Sequence, residues 1–263
     1  MHPLLKKEGF IIDIDGVIGK STTPIIKGVE AVRRLKNLGK KIIFVSNNST
    51  RSRKMVLERL KRFGLDICED EILISTYATA KLISREKPGA RVFTTGENGL
   101  IEELLLAGLK ITDYKEAEYL VVGSNRGINF DLMTKALRAC IKGIRYIATN
   151  PDKIFPAEDG PIPGTGMIIG ALYWMTGRKP DVVVGKPSKV IMDEALRLLN
   201  LKSDEVAVIG DQIDVDIAAG KAIGAETALV LTGVTTKENL ENLILKYKVK
   251  PNYILESLMS LFS

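Results

Sequence analysis

Short apolar runs alternate along this chain with longer stretches in which apolar residues recur every three or four positions. "GFIIDID" (residues 9–15) carries Phe10, Ile11, Ile12 and Ile14 with almost no polar interruption, which reads as a strand buried on both faces of a parallel sheet. In "GVEAVRRLKNLG", Val29, Val32, Leu35 and Leu38 fall on one helical face, and Gly39 supplies a stop. "KKIIFVSNN" predicts the next strand, and "SRKMVLERLKRFG" a helix closed by Gly64. Toward the other end come "DVVVGKP", a helix "SKVIMDEALRLLN", a strand "EVAVIGD", a helix near "VDIAAGKAIG" and a strand "ETALVLTG". Strand–helix alternation of this kind predicts an α/β fold with a doubly wound parallel sheet, Rossmann-like in plan.

The middle of the chain keeps its own rhythm. "ARVFTTG" precedes "ENGLIEELLLAG", "AEYLVVGS" precedes "FDLMTKALRACIKG", and "IRYIATN" precedes the loop "PDKIFPAEDGPIPGTG" and the helix "MIIGALYWMTG". About 100 residues suffice for a separate domain. The expectation is a core built from residues 1–78 and 180–263, interrupted by an inserted α/β domain at 79–179, with Tyr173 and Trp174 in the insertion's interior and "DVVVGKP" back in the core sheet. "GTGMIIG" (164–170) lacks a preceding strand, since Pro161 and Pro163 stand there. It is read as a turn that opens a helix, its amides facing the active site, and not as a dinucleotide fingerprint.

Composition narrows the chemistry. The chain has 263 residues, and no apolar run approaches the ~20 needed to span a membrane. "MHPLLKKEGF" lacks the architecture of a signal peptide, so the expected location is cytoplasmic. Cys68 and Cys140 have no CxxC partner and are read as reduced thiols. His2 is the single histidine, which argues against a Ser-His-Asp triad, a His-ligated zinc site and histidine general-base catalysis. The formal net charge of +6 is spread along helices beside glutamates. It reads as a solvated face with some attraction for small anions, and neither a nucleic-acid nor a membrane partner is expected. Gln212 is the sole glutamine in a chain rich in Lys, Arg and Glu, a thermophile-like composition.

What remains is a set of strand ends. One ends in Asp13-Ile14-Asp15-Gly16, another in Ser46-Asn47-Asn48-Ser49, a third in Gly210-Asp211 followed by Asp214 and Asp216, and a fourth in Gly185-Lys186-Pro187. In an open parallel sheet these carboxyl ends meet along one edge. Burying an unpaired polar group costs about 2–7 kcal/mol, and charges cost more, so clustered carboxylates call for compensating positive charge. Oxygen ligands with almost no histidine suit a hard cation such as Mg²⁺, and Lys186 with Ser46-Asn47 would bind further negative charge, so a phosphate between Mg²⁺ and Lys186 is the expected ligand. Bland alternatives stand beside this. Asp15 could cap a helix while Asp13 faces water, Asp214 could be a helix N-cap, and Asn150 and Asp152 could form a loop turn ahead of Phe155-Pro156 instead of facing a substrate.

"DIDGVI", "VSNNS", "VGKPS" and "GDQIDVDI", in that order, resemble the four motifs of the haloacid dehalogenase superfamily in its phosphatase branch. More narrowly, the chain is similar to the NagD and 4-nitrophenylphosphatase-like group, over nearly its whole length, and "ATNPDKIFPAEDGPIPGTGMIIGAL" resembles that group's cap segment. The resemblance implies a type-two cap and a Mg²⁺-dependent phosphatase (Mn²⁺ or Co²⁺ substituting) acting on small phosphorylated metabolites. It implies Asp13 as the nucleophile that becomes an aspartyl phosphate and Asp15 as general acid and then base. Asp13, the backbone carbonyl of Asp15 and Asp211 would hold the metal. Ser46, Asn47 and Asn48 would bind phosphate, Lys186 would neutralise it, and Asp216 would position Lys186 or a metal-bound water. A homodimer through the cap is a further implication. A phosphotransferase or phosphomutase would keep the same residues, and a non-catalytic phosphate- or Mg²⁺-binding module is the remaining alternative. An acid two residues after the nucleophile argues against a dehalogenase, and the lack of membrane segments against a transport ATPase.

Overall fold

The computed structural model describes residues 2–155 and 160–263; Pro156 and the rest of 156–159, inside the expected cap segment, lie outside the described residues. The apolar runs do form strands. Gly9–Ile12 is buried along its whole length and lies in the middle of a six-stranded sheet. The strand order is Tyr253–Leu255, Glu226–Val230, Val206–Gly210, Gly9–Ile12, Lys41–Ser46, Ile72–Ile74. Gly9–Ile12 pairs in parallel with strands on both sides, Ile12 standing level with Ile209 and with Phe44. That register brings Asp13, Gly210 and Val45 to one height at the carboxyl ends. Side chains such as Ile12, Phe44 and Ile209 are fully buried, and each such burial is worth roughly 1.5–3 kcal/mol.

The first long helix follows its expected face except at its end. In Ile26–Asn37, Val29, Val32 and Leu35 are buried, but Leu38 is half exposed because it forms the C-cap and the chain has already left the helical face. Lys189–Leu199 is capped by Ser188, whose hydroxyl accepts from the Val190 amide. The segment after Gly210 opens as a π turn, Ile213–Ile217, before continuing as Ala218–Ala222.

A second sheet has the order Val182–Val183, Arg145–Ala148, Tyr119–Val122, Arg91–Thr94, Lys110–Ile111, with every pair parallel. Helices Phe130–Ile141 and Thr165–Thr176 pack on it over Phe93, Leu120, Val122, Tyr146, Ile168 and Leu172. The strand within "DVVVGKP", expected in the core sheet, belongs here instead and pairs with Arg145–Ala148. Its two paired residues are too few to declare a partner from sequence. Trp174 and Tyr173 are also not interior residues. Trp174 is 90% exposed and Tyr173 46%, because the buried positions of their helix are Thr165, Ile168 and Leu172.

By contacts the chain divides into two compact units, Met1–Ser46 with Leu57–Leu73 and Lys186–Ser263, and Asn47–Val56 with Ile74–Gly185. The second unit therefore extends past 79–179 on both sides and takes in the loop after Ser46. Among the described residues no helix is long and apolar enough to cross a membrane. Both cysteines are free, Cys68 exposed and Cys140 buried.

Candidate active site

Within the first unit, the carboxyl edge of the sheet gathers three aspartates and one lysine. Asp13 follows directly on the central strand, its amide donating to Ile209 O at 2.9 Å. Lys186 is 2% exposed, and its ammonium donates to Asp13 Oδ1 at 2.5 Å, Asp216 Oδ1 at 2.6 Å and Val45 O at 3.0 Å. Burial alone would lower the lysine's pKa, but the charges of Asp13 and Asp216 outweigh it and hold Lys186 in its charged form.

Each aspartate is held differently. Asp216, on the π turn, accepts the amides of Asp211 and Gln212 with Oδ2 at 3.1 and 3.0 Å, while Oδ1 takes Lys186. Both its oxygens are thus engaged. Asp211 accepts the Val234 amide with Oδ2 at 2.5 Å, but its Oδ1 is buried without a hydrogen-bond partner. Burial and the neighbouring charge of Asp216 push the Asp211 carboxyl up to about 7. Burial likewise pushes Asp13 up, Lys186 pulls it back, and Asp216 and Asp211 add further upward pressure.

Ligand oxygens of Asp13, Asp211 and Asp216 lie within 4.8 Å of one another. Three carboxylates against one ammonium leave two formal negative charges in a buried cluster. Asp211 Oδ1 is a buried acceptor left over in the hydrogen-bond accounting, and an all-oxygen donor set fits a hard divalent ion of the Mg²⁺ kind. Asp216 is already satisfied by Lys186 and two amides, so Asp13 and Asp211 are the carboxylates with capacity to spare.

Asp15 lies beyond the strand, on a turn that needs Gly16 at φ +90°. A side chain at Gly16 would also run into the Asp211 carboxylate. The Asp15 carboxylate is 48% exposed, and its Oδ1 accepts from Arg59 Nη2 at 2.7 Å. Thr232 Oγ1 donates to Gly16 O at 2.6 Å, tying this turn to the loop that carries Val234. Ser46 ends the neighbouring strand and is buried, two residues past the Phe44–Ile12 level. Asp214 is not the N-cap of its helix. That position belongs to Gln212, and Asp214 lies within the π turn.

The remaining candidates belong to the second unit. Asn47 donates from Nδ2 to Asp152 Oδ1 at 2.9 Å, and its carbonyl accepts from Asn150 Nδ2 at 2.6 Å and Ser75 Oγ at 3.0 Å. Asn150 is fully buried, and its carboxamide oxygen also accepts the Asp152 amide, so its side chain ties this local network together. The Asn48 carboxamide oxygen accepts from Thr50 N, Thr50 Oγ1 and Arg51 N, which closes its own loop. At the start of Thr165–Thr176 the Gly166 amide donates to Asp152 O, so that amide is already engaged.

Two groups escaped the sequence reading. Arg59 looked like one more charge on a solvated helix, yet it is only 6% exposed. The loop after Glu226–Val230 reaches Asp211 through a backbone amide, for which side-chain identity gives no signal.

Two family models match stretches of this chain. A family model described as haloacid dehalogenase-like hydrolase matches residues 10–110, and one described as HAD-hydrolase-like matches residues 183–261. The chain is 38% identical over 234 residues to an acid sugar phosphatase of Staphylococcus haemolyticus, covering 89% of each chain. It is 36% identical to the sugar-phosphatase AraL of Bacillus subtilis, covering 95% of this chain and 90% of that one. Among solved structures it is similar to a p-nitrophenyl phosphatase from Archaeoglobus fulgidus, with a TM-score of 0.96 and 75% identity over 97% of this chain and 98% of the other.

Proposed function

The chain belongs to the haloacid dehalogenase-like hydrolase family, and from that premise we propose that it is a Mg²⁺-dependent phosphatase of small phosphomonoesters, working through an aspartyl phosphate on Asp13. The observation that carries the reading is Lys186 bridging Asp13 and Asp216 beside an Asp211 oxygen that has no partner. Similarity to sugar and p-nitrophenyl phosphatases supports small, singly phosphorylated substrates, sugar phosphates among them.

An oxygen of Asp13 attacks phosphorus while the bond to the ester oxygen breaks. The departing oxygen keeps the electron pair and takes a proton from Asp15. In the second half, the Asp15 carboxylate takes a proton from water as the water oxygen attacks the aspartyl phosphate. The Asp13–phosphorus bond then breaks and phosphate leaves. Lys186 fixes the attacking carboxylate and offsets the charge of the phosphoryl oxygens, and Ser46 with the Asn47 amide would donate to them. Mg²⁺ held by Asp13, Asp211 and the backbone carbonyl of Asp15 would supply the remaining positive charge.

Rapid mixing of Asp15→Asn with two esters tests the scheme. A nitrophenolate leaves without needing a proton, so 4-nitrophenyl phosphate should give a burst of about one nitrophenol per site and then stall for want of a base. Glycerol phosphate needs the proton, and its first step should fall by the ~10²–10⁴-fold typical of general acid catalysis. Equal losses with both esters and no burst would overturn the roles of Asp13 and Asp15. In the unmodified enzyme inorganic phosphate, not a phosphorylated acceptor, should be the product.

A further inference from the structure

Asp15 must present one oxygen to the leaving group, yet nothing in its own segment fixes its side chain. It stands on a small flap in which Gly16 N donates to Gly19 O at 2.9 Å and Gly19–Lys20 pairs with Thr23–Pro24. Its carboxylate is 48% exposed, and an exposed aspartate exchanges freely among rotamers. The described residues offer it one partner, Arg59 Nη2, on Oδ1 at 2.7 Å, which leaves Oδ2 free.

Arg59 is an expensive partner. It is 6% exposed and its Nε is buried without a hydrogen-bond partner. Its guanidinium sits 5.3 Å from the centre of the Phe63 ring, and that ring in turn lies so close to Gly19 that a side chain there would overlap it. The chain from Gly19 through Phe63 to Arg59 thus returns to the flap that carries Asp15. An ion pair with one half-exposed member stabilises a fold little, and a buried guanidinium with an unsatisfied nitrogen opposes even that. As a stabilising device the arrangement is poor; as a means of aiming one carboxylate it is well built.

We infer that Arg59 is a positioning residue for the acid/base Asp15: by holding Oδ1 it leaves Oδ2 as the oxygen that gives its proton to the ester oxygen and later takes one from water. The inference rests on the acid/base role of Asp15 proposed above. The side chains Arg59 meets are Asp15 and Phe63, so a positioning role predicts that its effect passes through Asp15.

The test is a double-mutant cycle read with two leaving groups. With Mg²⁺ present, Arg59→Met should lower kcat/KM for glycerol phosphate by roughly tenfold or more, the scale set by misplacing a reacting group. For 4-nitrophenyl phosphate, which needs no proton, kcat/KM should change by less than about twofold. In the Asp15→Asn background the same substitution should add less than about twofold with either ester, since residues acting as a unit are not additive. Arg59→Lys retains the charge and the stem but not the fork, and should show the same ester selectivity at smaller size; it carries the cycle if Arg59→Met does not fold. Equal losses with both esters, or the same loss with Asp15→Asn as without it, would overturn the positioning role and leave the phosphatase reading intact. Failure of the unmodified chain to turn over either ester would overturn that reading, and this inference with it.

Discussion

Lys186 turns its ammonium into the protein, donating to Asp13, Asp216 and Val45 O. Lys186→Met keeps the stem and removes the cation, so the expected loss in kcat is on the order of 10²-fold, the scale of deleting one strong electrostatic stabiliser. Steady-state kinetics on a folded preparation would measure it, and a near-normal rate would make Lys186 a structural residue only. The substitution also strands two buried carboxylates, so a fall of about 3–5 kcal/mol in stability should accompany it. The meeting of Asp13, Lys186 and Asp211 was legible in the sequence because Asp13 and Asp211 each close an apolar strand and Lys186 follows the apolar run "DVVVG", where a charge has no reason to stand unless something meets it. Arg59 was not legible, because an arginine among the lysines and glutamates of "RKMVLERLKR" gives no sign of which side of the helix it takes. The double duty of Asp216 was hidden as well, since amides from its own turn supply half its partners.

Secondary structure sets those partners in place, and the junction of strand Val206–Gly210 with the π turn Ile213–Ile217 leaves no room for a side chain at Gly210. A Cβ on Gly210 would overlap the Asp216 carboxyl group. Gly210→Ala should therefore push Asp216 away from Lys186 and from the Asp211 and Gln212 amides. The expected cost is about 1–3 kcal/mol of overpacking strain together with a drop in kcat of roughly tenfold or more, because Lys186 loses an orienting partner. Thermal melts and kcat would check the two parts, and full activity would show that the π turn can yield without disturbing the lysine. Long elements were readable because periodicity accumulates over many residues, as it does in Ile26–Asn37 with Val29, Val32 and Leu35. The strands Ile72–Ile74 and Tyr253–Leu255 are three residues each and carry no period to read. The same brevity misplaced Val182–Val183, whose sheet is chosen by its hydrogen bonds to Arg145–Ala148. The helix Thr165–Thr176 is apolar nearly all round, so its sequence could not say that Trp174 lies on the exposed side.

At the scale of the whole molecule, a chain of net charge +6 holds a buried cluster in which carboxylates outnumber the ammonium, and the pH dependence of stability should reveal it. The Asp211 carboxyl is pushed from an ordinary 3.8 up to about 7 by burial first and by Asp216 second. Between those values the folded chain holds a proton that the unfolded chain has lost, so this group makes stability fall as pH rises from about 4 toward 7. Glu118, held down at about 2 by the Arg91 amide and by Lys87, has the opposite sign, but its contribution is lost only at acid pH, below this window. A divalent cation competes with the Asp211 proton, so ion binding should strengthen as pH rises through about 7. At about 100 times its dissociation constant a ligand adds ~2.7 kcal/mol, which for a chain of this size corresponds to roughly 5–10 °C in Tm. Scanning melts with Mg²⁺ or chelator should therefore show a gain of that order at pH 8 and a much smaller one at pH 5.5. Asp211→Asn should abolish both the gain and its pH dependence, because the side chain then carries neither the proton nor the charge. A Mg²⁺ shift of equal size at both pH values, or one retained in Asp211→Asn, would place the cation on other ligands and remove Asp211 from the metal site.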